Sequence, residues 1–291
     1  MTQIKKAVIT AAGPRQRALA LQSLVDRDGE TKSAVRVLVE EALGAGVEEV
    51  GLVICPGDEG VYRAAAGPVA GHVRFLEQTE PRGYGHALLM SKDWIGDAPF
   101  LHMVGDHLYV SRDATPCARQ LVTVAMAQEC AVSAVQPTRE RSLPQFGAIG
   151  GRRVSGQEGL YQVDEVLEKP TPTEAEQRLV ISGLRTGHYL CFFGMHVLTP
   201  TIFDVILSQG QGASASVSAG AKGSGSGMLA LSPALAALAR RERYLAVELK
   251  GVRYDIGDRY GLWIAQLGLG LAGRDREELL ARIVEMVASR G

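Results

Sequence analysis

The sequence predicts an α/β fold, with a mostly parallel sheet covered by helices on both faces. Two observations lead there. From residue 4 to about 135, short β-branched runs alternate with segments of helical periodicity, the pattern of strands joined by crossover helices. The chain is also long enough, at 291 residues of which 46% are hydrophobic, to bury a full core. The series opens with the apolar strand Ala7–Thr10, followed by a helix over Ser33–Ala45, the strand Val50–Ile54 and a helix over Glu59–Ala66. It continues with strand Val73–Leu76, helix Gly85–Lys92, strand Phe100–Val104, helix Arg112–Gln128 and strand Ala131–Val135. In such a sheet ligands bind beyond the carboxyl ends of the strands, which directs attention to Ala11–Arg17, Cys55–Asp58, Gln78–His86 and Gly105–Tyr109.

The second half is less regular. Strands are expected at Gly147–Ile149, Val163–Leu167, His188–Phe193 and Leu245–Leu249, and a helix at Phe203–Leu207 after Pro200. Residues 208–227 are mostly Gly, Ser and Ala with the single charge Lys222, too little apolar surface to pack, so a flexible loop is expected. The C-terminal stretch, 272–291, carries an amphipathic helix over Asp275–Ala288, with Leu279, Leu280, Ile283, Val284 and Val287 on one face. That stripe is either core or a subunit contact. Residues 1–291 are read as one domain.

Composition narrows the function classes. A net charge of -1 gives no bulk attraction for nucleic acid, and no run approaches the ~18 apolar residues of a membrane span. Met1–Lys6 leads into a short strand without a signal-type apolar core, so the cytoplasm is the expected compartment. The four cysteines, Cys55, Cys117, Cys130 and Cys191, form no C-x-x-C pair and read as buried thiols. The six histidines show no ligand spacing, with His86 and His107 favoured by their neighbours.

Several short segments carry chemistry. After the first strand come Ala11, Ala12 and Gly13, too small to keep a phosphate from backbone N–H groups, then Arg15 and Arg17, whose planar forks suit phosphate oxygens. Pro14 stands where a phosphate cradle would place a second glycine. Asp106 ends a central strand and Asp255 lies in Tyr254–Gly257; two carboxylates from distant segments suit a nucleotide-bound Mg²⁺, although an aspartate ending a strand is more often a turn residue. Gly83 and Gly85 flank Tyr84 at a helix start, letting backbone approach a flat ligand, and Gln78 upstream carries the donor and acceptor that read a uracil or thymine edge. Glu168-Lys169-Pro170 ends a strand with an acceptor for sugar hydroxyls beside a cation for phosphate, and Gly147 permits close approach of a sugar ring.

The order of these segments, from Ala11-Ala12-Gly13 through Glu40–Val50, Gln78, Gly83–Ala87, Gly105-Asp106, Phe146-Gly147 and Glu165–Pro170 to Asp255–Asp258, resembles the sugar-phosphate nucleotidyltransferases. Within them it is most similar to the bacterial UTP-glucose-1-phosphate uridylyltransferases, from Lys5 to about Leu271. The resemblance implies a Rossmann-like, mostly parallel mixed sheet of the nucleotide-diphospho-sugar transferase type with small β excursions. It implies an enzyme that joins UTP and glucose 1-phosphate into UDP-glucose and pyrophosphate, with Mg²⁺ as cofactor and a dimer or tetramer as the assembled form. Carried onto this chain, it puts Ala11, Ala12 and Gly13 against the nucleotide, Gln78 and Gly83 on uracil, and Asp106 and Asp255 on the metal. Gly147 and Glu168 would meet the glucose hydroxyls, and Lys169 its phosphate, with Arg15 and Arg17 assisting transfer.

Two departures stand out. The family loop reads G-x-G-T/S-R followed by a proline-lysine pair, whereas this chain passes from Gly13-Pro14-Arg15-Gln16-Arg17 to Ala18–Ser23 without the lysine. Where the family often shows an acidic E-[IL]-x-L-[TS]-D element, this chain has Gly227–Pro233. The alternative to an active transferase is therefore a catalytically weak or inactive paralogue that binds nucleotide sugar as a regulatory or structural subunit.

Overall fold

In the computed structural model, described over residues 3–13, 16–212 and 228–289, strands and helices alternate as the patterning predicts. The first half contains β1 (Lys6–Thr10), α1 (Gln16–Leu19), β2 (Ser23–Val25), β3 (Thr31–Ser33), α2 (Ala34–Gly44), β4 (Glu49–Ile54), α3 (Glu59–Ala66) and β5 (Val73–Glu77). There follow α4 (Tyr84–Leu89), α5 (Lys92–Ile95), β6 (Phe100–Val104), β7 (His107–Ser111), α6 (Cys117–Gln128) and β8 (Ala131–Arg139). The second half comprises β9 (Gly147–Arg153), β10 (Leu160–Glu168), α7 (Pro172–Arg178), β11 (His188–Leu198), α8 (Thr201–Gly212), α9 (Leu231–Arg241), β12 (Tyr244–Glu248), β13 (Gly251–Asp255), α10 (Gly261–Leu271) and α11 (Arg276–Ala288).

Nine strands form one sheet in the order β5-β4-β1-β6-β11-β8-β12-β10-β9. The β5-β4-β1-β6 half is parallel, while β10 and β11 run against the rest, which makes the sheet mixed. Successive side chains of a strand face opposite ways, so Ala7 and Ile9 of β1 enter the core shared with α2, α3 and α6, and Val8 enters the core shared with α4, α8 and α9. A third cluster packs Leu143, Ala148 and Cys191 against Ala175 and Leu179. Helix α2 buries Ala34, Val35, Leu38, Val39 and Ala42 as one stripe, and its N-cap Ser33 accepts from the Arg36 N–H at 3.1 Å. Beneath its start, Lys32 is 5% exposed and held by Asp26, Asp28 and Glu40.

Some elements depart from the sequence reading. The helix expected from Arg112 begins at Cys117, because Pro116 caps it, and residues 107–111 form β7 instead of a loop. The helix expected over Gly85–Lys92 divides into α4 and α5. The strand expected at His188–Phe193 continues to Leu198, with its register slipping between Phe192 and His196 at Gly194, whose φ is +89°. In the stretch expected to be a loop, residues 208–212 belong to α8, and 213–227, with Lys222, lie outside the described residues. None of the apolar stripe on α11 is buried, so it is not core of this chain.

Candidate active site

The site forms where β1 and β6 end. Gly105 turns the chain after β6 with its N–H on the Thr10 carbonyl at 3.0 Å. A Cβ there would stand 2.5 Å from that oxygen, so only glycine allows the turn that puts Asp106 at the sheet's carboxyl edge. The ribbon of β7 and β13 then places Asp255 opposite His107, and the Ile256 N–H donates to the Asp106 carbonyl at 2.9 Å. Two aspartates far apart in sequence thus meet in one cleft. Asp255 Oδ1 accepts the Gly257 N–H at 2.8 Å, and Oδ2 lies 3.7 Å from His107 Nε2. Burial alone would raise the Asp255 pKa; the His107 contact, the Gly257 N–H and Arg253 outweigh it and hold the carboxyl below its ordinary value. Among the described residues no group of three or more His, Cys, Asp and Glu side chains could hold a metal ion. Asp106 and Asp255 both line the cleft, and two carboxylates are a donor set of the kind a hard cation such as Mg²⁺ takes together with phosphate and water.

On the other wall, Gly147 opens β9 opposite Glu168, the last residue of β10. A Cβ on Gly147 would lie 2.9 Å from both Phe192 Cδ2 and Ser232 Oγ and 3.1 Å from Glu168 Oε2. Glu168 in turn accepts the hydroxyl of Ser232, at the start of α9, at 2.5 Å. Lys169 takes a left-handed backbone conformation, φ +48°, with its N–H on the Phe146 carbonyl at 3.2 Å, and stands exposed beside Glu168.

At the third edge, Gln78 is buried and its amide nitrogen is committed within the protein. Its Nε2 donates to the Gly83 carbonyl and to His86 Nδ1, both at 3.1 Å. Gly85 N–H donates to the Leu229 carbonyl at 2.8 Å, and a Cβ on Gly83 would approach that carbonyl to 2.7 Å. The two glycines thus permit close packing of the chain's own backbone. Burial and Arg82 lower the His86 pKa, consistent with a structural histidine. Ala11 and Ala12 are buried beneath the loop, Gly13 is half-buried, and Arg17 is paired with Asp58. Pro14 and Arg15 lie outside the described residues.

Together these elements enclose a cleft of about 660 Å³ lined by Gly83, Asp106, Gly147, Glu168, Lys169 and Asp255. Ala11, Ala12, Gly13, Arg17 and Gln78 are not among its described lining residues. Ser232, Tyr84 and His196 also line it; sequence reading names Tyr84 only as the residue between Gly83 and Gly85, a serine at a helix start reads as a cap, and His196 lies past the strand expected to end at Phe193. Arg253 was equally hidden. It is 6% exposed, stacked 3.5 Å from the Phe146 ring centroid, and burial lowers its pKa to about 10.

The sequence profile described as nucleotidyl transferase matches residues 27–267. The chain belongs to that family. Among curated relatives, UTP–glucose-1-phosphate uridylyltransferase of Streptococcus pyogenes is 30% identical over 293 residues, covering 90% of this chain and 87% of that protein. The protein of the same name from Streptococcus pneumoniae serotype 4 is 29% identical, with 89% and 88% covered. A solved UDP-glucose pyrophosphorylase complexed with UDP-glucose superposes with a TM-score of 0.71 at 24% identity, covering 90% of this chain and 97% of that one. UTP-bound UGPase from Acinetobacter baumannii gives 0.71 at 20% identity, with 97% and 99% covered. The structural likenesses show the α/β nucleotidyltransferase fold, and the sequence relatives the sugar-nucleotide branch of the family. No helix of the described residues is long and apolar enough to cross a membrane.

Proposed function

We propose that this chain transfers a uridylyl group from UTP to glucose 1-phosphate, giving UDP-glucose and pyrophosphate. The observation that carries this reading is the convergence of Asp106 and Asp255 with Gly147, Glu168 and Lys169 on one cleft at the strand ends. The names of the curated relatives support the same pair of substrates. Glu168, oriented by Ser232, accepts from glucose hydroxyls, and Gly147 leaves room for the ring. The Lys169 ammonium draws in the sugar phosphate, whose oxygen attacks the α-phosphorus of UTP; the bond to the β-phosphate oxygen breaks and pyrophosphate leaves. Asp106 and Asp255 would hold Mg²⁺, which when bound offsets charge on the phosphate oxygens. Gln78 and Gly83 stand at the uracil end, with Gln78 Nε2 held on the Gly83 carbonyl. The reading includes a cytoplasmic setting and a homo-oligomer, dimer or tetramer, joined through the exposed apolar face of α10 and α11, where Trp263 is 75% and Val284 59% exposed.

Pyrophosphate release by the purified protein with UTP, glucose 1-phosphate and Mg²⁺ tests the proposal, and absence of release under these conditions would overturn it. The second reading, a nucleotide-sugar-binding paralogue without turnover, is favoured by one observation: Arg17 is committed to Asp58 and does not line the cleft. Binding of UDP-glucose without turnover would select it.

A further inference from the structure

His196 is 2% exposed and yet lines the cleft, its ring against Phe192. It lies on β11 directly opposite His102 of β6 and Ser133 of β8. Its Nδ1 is 2.5 Å from Ser133 Oγ, and Ser133 Oγ is in turn hydrogen-bonded to the Tyr244 hydroxyl. Nε2 has no partner among the described residues.

The protons in this buried chain can be assigned. If His196 Nδ1 carried the hydrogen, Ser133 would donate to Tyr244, and the Tyr244 proton would be left buried without an acceptor, at a cost of about 1–3 kcal/mol. In the opposite direction Tyr244 donates to Ser133, Ser133 donates to Nδ1, and every proton inside the chain is used. Nε2 then carries the hydrogen, on a residue that lines the cleft. Burial and the neighbouring His102 ring keep His196 neutral, so this is an uncharged donor. His102 makes no competing claim on it, since its own nitrogens serve the Val8 carbonyl and the Tyr84 hydroxyl.

We propose that His196 is a sugar-recognition residue, its Nε2–H donating to an oxygen of the hexose in the bound sugar nucleotide, with Ser133 and Tyr244 setting its tautomer. The inference rests on the proposed function and deepens it. Phe192, which packs on the His196 ring, is also the ring a side chain at Gly147 would strike, so His196 adjoins the wall formed by Gly147 and Glu168. A neutral donor adjoins an acceptor there, and the two together suit hydroxyl oxygens.

Calorimetric titration with UDP-glucose and with UDP isolates the sugar and needs no turnover. His196→Phe keeps a planar ring and removes the donor; it is expected to weaken UDP-glucose about tenfold while leaving UDP within about twofold. His196→Gln, which retains an N–H, should recover part of the loss, and Ser133→Ala, which frees the tautomer, should give a smaller sugar-specific loss. Equal weakening of UDP and UDP-glucose, or unchanged UDP-glucose affinity in folded His196→Phe, would overturn the proposal. If His196→Phe does not fold, unchanged UDP-glucose affinity in both His196→Gln and Ser133→Ala would do so. Wild-type protein that binds UDP-glucose but releases no pyrophosphate would overturn the transfer reaction and leave this result standing.

Discussion

Gly147→Ala tests the sugar wall most directly. The new methyl would lie 2.9 Å from Phe192 Cδ2 and Ser232 Oγ and 3.1 Å from Glu168 Oε2, so it needs about half an ångström of relief on two sides. Phe192 is 8% exposed and packs on His196, and Ser232 is 6% exposed. The Phe192 ring resists movement, so the displacement falls on the Ser232 hydroxyl and the exposed Glu168 carboxylate, breaking the bond between them. Overpacking of this kind costs about 1–3 kcal/mol, which corresponds to about 5- to 150-fold if it is expressed at the site. Initial rates of pyrophosphate release at varied glucose 1-phosphate and varied UTP separate the two substrates. The expected result is a rise in KM for glucose 1-phosphate, with KM for UTP within about twofold and a melting temperature lowered by a few degrees. A folded variant with wild-type KM for glucose 1-phosphate would refute the assignment of Gly147 and Glu168 to the sugar.

Asp106→Ala should abolish Mg²⁺-dependent turnover while the protein remains folded; full activity would show that the metal is held elsewhere. Lys32→Met strands Asp26, Asp28 and Glu40 without their shared cation and should cost about 3 kcal/mol in urea unfolding at neutral pH. Burial opposes the Asp28 charge, but the Lys32 contact outweighs it and lowers the Asp28 pKa, so that stabilisation is present above the ordinary aspartate value of about 3.9 and is lost as pH falls through the lowered one. The same three contacts outweigh burial and raise the Lys32 pKa, so the gap between wild type and variant should hold from about pH 5 to 9 and shrink below about pH 4; a gap that widens in acid would contradict the arrangement. Trp263→Glu should shift light-scattering mass toward the monomer, and an unchanged oligomer would locate the subunit contact on another surface.

Much of the fold was legible because strands and helices of this kind announce themselves locally. The β1 and β4 strands and the stripe of α2 lie where apolar periodicity puts them, since burial on a sheet or under a helix selects residue type at fixed spacing. Asp106, Asp255, Gly147, Glu168 and Lys169 were legible as separate weak signals in a specific order. The β7 strand was not: residues 107–111 follow a glycine-aspartate turn, and only pairing with residues 251–255 far along the chain makes them a strand. Nor does local patterning show that the Gln78 amide nitrogen donates to the Gly83 carbonyl.

By itself, the sequence determined the α/β class, the ordered set of candidate segments and the absence of the loop lysine, because patterning and motif order are properties of neighbouring residues. Tertiary structure alone decided which of those residues share a cleft. It committed Arg17 to Asp58, bound Ser232 to Glu168, and brought His196, Ser133 and Tyr244 into one hydrogen-bonded chain. The physical reason is that hydrogen-bond partners and desolvation are set by what lies across the sheet, often tens of residues away, and no local pattern encodes that juxtaposition.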